Sequence, residues 1–270
     1  MMAPILHVTH KRADADSLAG VIWGVEIFGG CSLVHEPNRV AINLMREIDF
    51  KPRICWDFKR VFAYDVDRPE RLPMDFENLV VFDHHPRNSF ENIELHWRPR
   101  ASLAMNLYDI SIEAGYELTA KILFSFAVAL VTDTALLRTA SSEEMYYLSL
   151  FLNGRRMEEV YEVVFRDAVR MEDFVGDLST IESEKGVCWG RFSSDDHFTF
   201  FVDTFMYALG CSVVVGERDW GVWVYAKKRR VQEVFRILKK LESVYDRKGG
   251  KLIGARLDEI LSYLLDSLGE

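Results

Sequence analysis

The sequence has few of the features that mark secreted, membrane-spanning or zinc-thiolate proteins. It has four cysteines in 270 residues, at positions 31, 55, 188 and 211, and no C-x-x-C pair. Widely spaced cysteines among apolar neighbours are typical of reduced core residues, so we expect neither disulfides nor zinc. The longest apolar run, residues 122–132, is shorter than the roughly 20 residues that span a bilayer, and no signal-peptide pattern is present. We expect a cytoplasmic protein without membrane contact.

An excess of positive charge is also missing. The chain has 33 lysines and arginines against 42 acids, a net charge of −9, which argues against binding long duplex nucleic acid by phosphate neutralisation. Residues 185–270 differ, with 14 basic residues against 12 acids. An acidic first part and a mildly basic second part suit a metal site and a phosphate-binding domain.

The first part of the chain predicts an α/β domain. Apolar runs indicate strands at residues 5–9, 31–35, 61–64, 79–82 and 93–97, with helices between and after them. Ser17, Ser102 and Thr119 are the predicted N-caps of three of these helices. We expect a parallel five-stranded sheet flanked by helices in a domain at 1–153.

The second part predicts a smaller α/β domain with a mixed sheet. A helix at 143–152 is followed by a helical connector at 154–185, which contains the predicted helix at 157–171, and the second domain occupies 186–270. Its predicted strands are at 187–192, 198–202, 212–217 and 221–226, and its predicted helices at 231–244 and 257–268.

Acids and histidines follow the predicted strands. The strand at 79–82 stops at Asp83, His84 and His85, and open parallel sheets bind ligands outside the carboxyl ends of their strands. The loop after the first strand contains Asp14 and Asp16, two residues apart, so both carboxylates can point the same way. Oxygen ligands with an occasional imidazole suit Mn²⁺ or Mg²⁺. Each motif alone is also compatible with a solvated surface loop.

Two further acids and a histidine complete the pattern. Asp65 ends the strand at 61–64, His10 follows the first strand, and Asp133 ends an apolar helix. An acid at the end of a largely buried helix is costly unless it is paired or binds a metal ion. Five acids and two or three imidazoles therefore converge from separate segments.

Set side by side, these segments resemble the DHH phosphoesterase superfamily, named for its Asp-His-His motif. The four motifs that match are His10-x-x-x-Asp14-x-Asp16, Asp65, Asp83-His84-His85 and Asp133. The resemblance implies two divalent ions, Mn²⁺ in first place with Mg²⁺ or Co²⁺ as alternatives. By that resemblance one ion is held by His10, Asp14 and Asp65, and the other by Asp16, Asp65, His84 and Asp133. Asp83 would then orient the ligands, and His85 would contact the substrate phosphate.

The second domain resembles the DHHA1-type substrate-binding domain of the nano-RNase and pAp phosphatase branch. That branch has a Gly-Gly-Gly-His loop, whose place is taken here by Lys248, Gly249, Gly250 and Lys251. A lysine in place of the histidine keeps phosphate affinity as a point charge but loses ring-edge recognition. Lys227 and Arg229 add a second basic cluster, which is a candidate for substrate binding or a solvated face.

The resemblance implies a phosphoesterase that hydrolyses small nucleotides or short oligonucleotides. We expect no long duplex nucleic acid as a partner. The alternatives are a manganese-dependent inorganic pyrophosphatase, a single-strand-specific exonuclease and a nucleotide-sensing module that has lost catalysis. Trp220, Trp223 and Tyr225 could stack on a base, which pyrophosphate lacks. Related proteins are commonly dimers, so a homodimer is the expected assembly.

Overall fold

The computed structural model describes residues 4–168, 170–227, 229–242, 244–248 and 250–268. For residues 171, 196, 203–205, 207, 246–248 and 268 the description is limited to the backbone. The chain divides into two compact units, the first ending at Arg166 and the second beginning at Asp167.

The first unit alternates strands and α-helices up to its third strand, continues with two strands that no α-helix separates, and is helical after them. In chain order its elements are β1 (Ile5–Thr9), α1 (Ala15–Phe28), β2 (Cys31–Leu33), α2 (Arg39–Glu47), β3 (Arg60–Tyr64), β4 (Leu79–Asp83), β5 (Glu94–Trp97), α3 (Leu103–Ala114), α4 (Ala120–Asp133), α5 (Ser142–Leu152) and α6 (Met157–Phe165). A 3₁₀ turn, Pro69–Arg71, lies between β3 and β4.

The five strands form a parallel sheet in the order β2-β1-β3-β4-β5, which confirms the predicted architecture. The direction of winding reverses at the centre, because β2 lies on one side of β1 and β3 on the other. Such a switch point opens a crevice outside the carboxyl ends of the central strands. His10 follows β1 and Asp65 follows β3, so the two side chains begin at this crevice.

Helix α1 is largely buried and presents two of the candidate acids at its N-terminal end. Its first ten residues are buried, and Gly20 permits a close approach to the sheet, since a Cβ there would come within 2.6 Å of the Tyr64 side chain. The prediction that Ser17 caps this helix was wrong. Asp14 is the N-cap, because its backbone is extended and its carboxylate accepts the Ser17 N–H at 3.0 Å.

Helix α4 packs on α1 and delivers Asp133 to the same region. Thr119 caps it as predicted, accepting the Ile122 N–H at 3.3 Å. The helix has 14 residues. Across the described ranges, no helix combines the length and the apolar character needed to cross a membrane.

The second unit contains a six-stranded mixed sheet in the order β10-β11-β9-β8-β7-β6, in agreement with the predicted mixed sheet. Strands β7 and β8 are parallel and the other pairs are antiparallel. Its elements are α7 (Met171–Leu178), β6 (Glu182–Glu184), β7 (Val187–Arg191), α8 (Asp195–Tyr207), β8 (Val213–Arg218), β9 (Gly221–Ala226), α9 (Val231–Leu241), β10 (Asp246–Lys248), β11 (Lys251–Ile253) and α10 (Leu257–Leu268).

Two predicted elements differ from the structure. Residues 198–202, predicted as a strand, lie in α8, where Phe198, Phe201 and Val202 are buried at helical spacing. Ser194 begins that helix by accepting the His197 N–H at 3.0 Å. The helix predicted at 157–171 corresponds to α6, which ends at Phe165, and a separate helix, α7, begins at Met171. The first packs in the core of the first unit, and the second contacts β7 in the second.

The expectation of reduced cysteines is also corrected. Cys31 is paired with Cys55 and Cys188 with Cys211, with Cα–Cα distances of 5.8 and 5.9 Å. The first pair forms because the segment before β3 lies along β2, where the Ser32 N–H donates to the Arg53 carbonyl at 2.8 Å. The partners are 24 and 23 residues apart, and their approach depends on strand neighbours that cysteine spacing does not reveal.

Candidate metal centre

Six predicted ligand side chains converge from four segments of the first unit. His10 and Asp14 come from the connection between β1 and α1, Asp16 lies in the first turn of α1, and Asp65 follows β3. His84 follows β4, and Asp133 is the last residue of α4. Within the described residues, these side chains form two groups in which the ligand atoms lie within 4.8 Å of one another: His10 with Asp14 and Asp65, and Asp16 with His84 and Asp133.

The first group is arranged around the imidazole of His10. Its Nε2 lies 3.3 Å from Oδ2 of Asp14 and 3.2 Å from Oδ2 of Asp65. Its Nδ1–H donates to the Lys11 carbonyl at 2.6 Å. Because the carbonyl holds the Nδ1 proton, the Nε2 atom is the one available to a metal ion.

The second group is arranged in the same way around the imidazole of His84. Its Nε2 lies 3.4 Å from Asp16 Oδ2, 3.1 Å from Asp65 Oδ1 and 3.7 Å from Asp133 Oδ2. Its Nδ1–H donates to the Arg100 carbonyl at 2.9 Å. A histidine held through Nδ1 by a carbonyl is the usual arrangement of a metal-binding imidazole.

Asp65 links the two groups: it is a member of the first, and with His84 and His85 it forms a third set of ligand atoms within 4.8 Å of one another. It is 3% exposed, and its left-handed backbone (φ 59°) is held by its N–H, which donates to the Phe82 carbonyl at 2.8 Å. Aspartate tolerates this conformation better than most residues. Its Oδ1 is buried and accepts no hydrogen bond from the described residues. This oxygen lies 3.1 Å from His84 Nε2, which fits a cation between the two atoms or, without an ion, a proton on Nε2.

The pKa values show the same need for positive charge. Burial lowers the pKa of His10, but its hydrogen bonds to Asp14 and Asp65 raise it by more than burial lowers it, and the resulting pKa is about 10. Burial also lowers the pKa of His84, but its hydrogen bond to Asp65 raises it by more, and the resulting pKa is about 10. Burial, with repulsion from Asp16, raises the pKa of Asp133 well above its ordinary value. In the absence of an ion the centre retains protons, which a divalent cation would replace.

Asp16 is anchored by the start of helix α3. Its carboxylate accepts hydrogen bonds from the Ser102 hydroxyl at 2.8 Å and from the N–H groups of Leu103 and Ala104 at 2.7 and 3.2 Å. The sequence indicated Ser102 as an N-cap, which the structure confirms, but not its contact with Asp16. These hydrogen bonds fix the orientation of the Asp16 carboxylate within the second group.

Asp83 and His85 form a pair beside the two groups. Asp83 is fully buried. It accepts the His85 Nδ1–H at 2.7 Å and an Asn88 amide N–H at 2.8 Å. The hydrogen bond with Asp83 is the largest contribution that raises the pKa of His85. The Nε2 atom of His85 lies 3.3 Å from an Arg71 guanidinium nitrogen.

Sequence reasoning missed Arg71 and Asn88 as members of this region. Arg71 ends the 3₁₀ turn after β3 and also contacts Asp67 at 3.2 Å. Neither residue lies in an acidic or histidine motif. The only local signal was that Arg71 follows Asp65 closely in the same loop, which does not show that it reaches His85.

The predicted substrate-binding residues belong to the second unit. Lys251 is already engaged: its Nζ lies 2.9 Å from Asp195 Oδ2 and 3.9 Å from the centre of the Trp223 ring. This pairing differs from the free point charge that we expected. Trp220 donates its indole N–H to the same Asp195 carboxylate at 3.2 Å.

The other members of the predicted loop are only partly described. The Gly250 carbonyl accepts the Val224 N–H at 2.8 Å, and Lys248 pairs with Lys251 along the hairpin. Gly249 lies outside the described residues. Lys227 lies at the end of β9, and Arg229 is exposed in the turn that follows.

Comparison with solved structures places this fold among known proteins. An exopolyphosphatase-related protein from Bacteroides fragilis aligns over 99% of this chain and 92% of its own, with 13% identity and a TM-score of 0.72. A putative family II inorganic pyrophosphatase from Methanococcus jannaschii aligns over 98% and 100%, with 14% identity and a TM-score of 0.54. RecJ from Thermus thermophilus, in complex with Mn²⁺, aligns over 99% and 52%, with 10% identity and a TM-score of 0.53.

No protein-family model and no curated protein matches the sequence. At these identities, the structural likeness concerns the fold. The chain shares its fold with these proteins, and the two-part α/β architecture predicted from the sequence is confirmed.

Proposed function

We propose that the protein is a divalent-metal-dependent phosphoesterase that hydrolyses phosphodiester or phosphomonoester bonds in small nucleotides or short oligonucleotides. The observation that carries the proposal is the position of Asp65, whose buried carboxylate lies between the His10 and His84 groups with one oxygen lacking a donor. A carboxylate shared by two cation sites is suited to in-line displacement at phosphorus.

The ligand assignment follows the two groups. His10, Asp14 and Asp65 would hold one ion, and Asp16, Asp65, His84 and Asp133 the other. When bound, two divalent cations lower the pKa of a water molecule and neutralise charge on the phosphoryl oxygens. Mn²⁺ is our first choice, with Mg²⁺ or Co²⁺ as alternatives, because carboxylates with a minority of imidazoles suit these ions.

His85 and Arg71 are the proposed contacts for the substrate phosphate. An Arg71 guanidinium nitrogen lies 3.3 Å from His85 Nε2, and an anion that contacts both groups would stabilise the protonated form of His85 beside this second cation. Asp83 orients the His85 ring and favours its protonated form. A protonated His85 can donate a hydrogen bond to a phosphoryl oxygen and pass its proton to the leaving oxygen.

Small nucleotides remain our proposed substrates, in the manner of the nano-RNase and pAp phosphatase branch with a DHHA1-type second domain. Trp220 and Trp223 in the second unit support an aromatic ligand, because a base stacks on indole rings and pyrophosphate does not. A manganese-dependent pyrophosphatase or polyphosphatase is the second candidate. It is favoured by the names of the Bacteroides fragilis and Methanococcus jannaschii proteins.

The test is product release by the purified protein with Mn²⁺, using EDTA as control. The panel contains pyrophosphate, tripolyphosphate, 3′-phosphoadenosine 5′-phosphate, di- to pentaribonucleotides and cyclic di-AMP. We expect turnover of nucleotides that is lost in Asp65→Asn and retained in Asp75→Asn, an exposed acid outside the centre. Turnover of pyrophosphate or tripolyphosphate alone would favour the second candidate. Tight Mn²⁺ binding without turnover would contradict both. Light scattering of the same sample tests the proposed homodimer.

A further inference from the structure

An open groove of about 480 Å³ lies in the first unit between β5 and α3. Its lining residues are His96, Trp97, Arg98, Asn106, Ile110, Glu113 and Ala114. Strand β5 is the edge of the sheet, and its four residues are exposed. The role of this groove is not explained by the ligand groups or by the phosphate contacts proposed above.

The groove adjoins the phosphate contact through the backbone. Trp97 donates its indole N–H to the His85 carbonyl at 2.7 Å, and it pairs with Asp83 across β4 and β5. Asn106 donates to the Asp83 carbonyl at 3.2 Å. One end of the groove therefore lies beside the Asp83–His85 pair.

Trp97 offers a fixed aromatic surface. The indole remains 41% exposed although its N–H is held by the His85 carbonyl. Burying an exposed aromatic face against a planar ring is worth about 1–3 kcal/mol in nucleic-acid-binding proteins. A tryptophan whose orientation is already fixed loses little conformational entropy when it stacks.

Asn106 fixes the backbone on both sides of the groove end where Trp97 lies. The residue is 3% exposed, and its amide N–H groups donate to the Asp83 and Arg98 carbonyls. Because both partners are carbonyls, the assignment of the amide nitrogen and oxygen is unambiguous. The remaining Oδ1 atom is fully buried and has no partner among the described residues, so it is not a contact for a ligand in the groove.

The groove also contains charge of both signs at its rim. An Arg98 guanidinium nitrogen lies 3.6 Å from Glu113 Oε1, and another lies 3.8 Å from Asp109 Oδ2. The rim is thus close to neutral, which disfavours a polyphosphate and is compatible with an uncharged heterocycle.

We propose that this groove binds a nucleobase, stacked on Trp97, in the nucleotide whose phosphate lies at His85. The inference rests on the proposed function, and it assigns the position of the base in a nucleotide substrate, which an inorganic polyphosphate lacks.

The test measures binding rather than turnover. Calorimetry with the Mn²⁺-loaded protein compares AMP, IMP and ribose 5-phosphate, which share a phosphate, although only the first two carry a base. We expect AMP and IMP to bind at least tenfold more tightly than ribose 5-phosphate. Trp97→Ala should remove the advantage of AMP over ribose 5-phosphate, and Trp97→Phe should keep most of it, because a stacking ring remains. Trp56→Ala, at a 74% exposed tryptophan elsewhere in the unit, should change neither affinity.

Several outcomes would overturn the inference. Equal weakening of AMP and ribose 5-phosphate in Trp97→Ala would show that Trp97 only positions His85. Loss of the advantage of AMP over ribose 5-phosphate in Trp97→Phe would likewise show that Trp97 does not act by stacking on the base. A Trp97 environment that depends on protein concentration but not on AMP would assign the β5 edge to a second copy of the chain. If the advantage of AMP over ribose 5-phosphate depends on Trp97 but no phosphoester is hydrolysed, base binding in the groove is supported and the proposed activity is wrong.

Discussion

The Nε2 atom of His84 lies 3.1 Å from Oδ1 of Asp65, an oxygen that accepts no hydrogen bond from the described part of the chain. Since a carbonyl holds the Nδ1 proton of the imidazole, the close approach needs a positive charge between the two atoms. In the protein without an ion that charge is a second proton, and in the active protein we expect it to be a metal ion.

Replacing Asp65 by asparagine should abolish binding at both proposed ion sites. The variant keeps the size of the side chain but removes the charge that both groups share. We expect a loss of activity of at least 10³-fold, and calorimetry should show Mn²⁺ stoichiometry falling from two towards zero. Asp75→Asn is the control and should retain both ions. Two ions bound with unchanged affinity in the Asp65 variant would refute the shared-carboxylate arrangement.

Replacing Asp83 by asparagine should change the pH dependence of the reaction. The Asp83 carboxylate raises the pKa of His85, so its removal lowers that pKa. The limb of the pH–rate profile that falls at high pH should therefore move to lower pH, with kcat reduced about 10- to 100-fold. The measurement is kcat across pH 5 to 10 in both proteins. An unmoved limb would mean that His85 does not act as the acid.

Arg71→Ala should mainly weaken substrate binding. Its guanidinium lies beside His85 and outside both ligand groups, so its loss removes a phosphate contact and leaves the ions in place. We expect KM to rise about tenfold, because a charge-assisted hydrogen bond contributes roughly 1.5–3 kcal/mol. Arg68→Ala is the matched control, since Arg68 is exposed in the same loop. Equal KM values in the two variants would exclude Arg71 as a phosphate contact.

His7 should reduce the stability of the protein in mild acid. Burial lowers its pKa to about 4, whereas the unfolded residue titrates near 6.5. Between these values the unfolded chain binds a proton that the folded chain does not. The free energy of unfolding is therefore fully maintained above pH 6.5 and falls towards pH 4, by up to about 3 kcal/mol.

The check is urea denaturation of the Mn²⁺-loaded protein at pH 7.5, 6 and 5, compared with His7→Gln. The variant loses a hydrogen bond to Tyr64 and is expected to be less stable throughout, so the slopes with pH are compared rather than the absolute values. A variant with the same slope as the parent would show that His7 does not cause the acid sensitivity.

The Cys31–Cys55 disulfide should stabilise the first unit. A closed loop of this length contributes about 3 kcal/mol by restricting the unfolded chain. Cys31→Ser with Cys55→Ser should lower the free energy of unfolding by that amount without reductant, and the difference should vanish in dithiothreitol. Thiol titration of the native parent provides an independent check. Four reactive thiols in protein purified without reductant would restore the expectation of free cysteines.

A large part of the fold could be predicted because its signals are local. The apolar runs that end at Asp65 and Asp83 marked two strands correctly, since a strand buried on both faces has no polar residue until its end. The apolar helix ending at Asp133 was recognised for the same reason. Residues 198–202 were misread because their aromatic and β-branched residues favour a strand locally, while burial of one helical face decided the outcome.

The sequence by itself determined which residues reach the carboxyl edge of the sheet, because strand ends are set by the pattern of apolar and polar residues along the chain. Only the tertiary structure decided that Asp65 serves both groups, that Arg71 lies beside His85, that Trp97 borders a groove, and that the cysteines are paired. These relationships join residues far apart in sequence or on different elements. They depend on strand order and helix packing, which no local pattern of residues records.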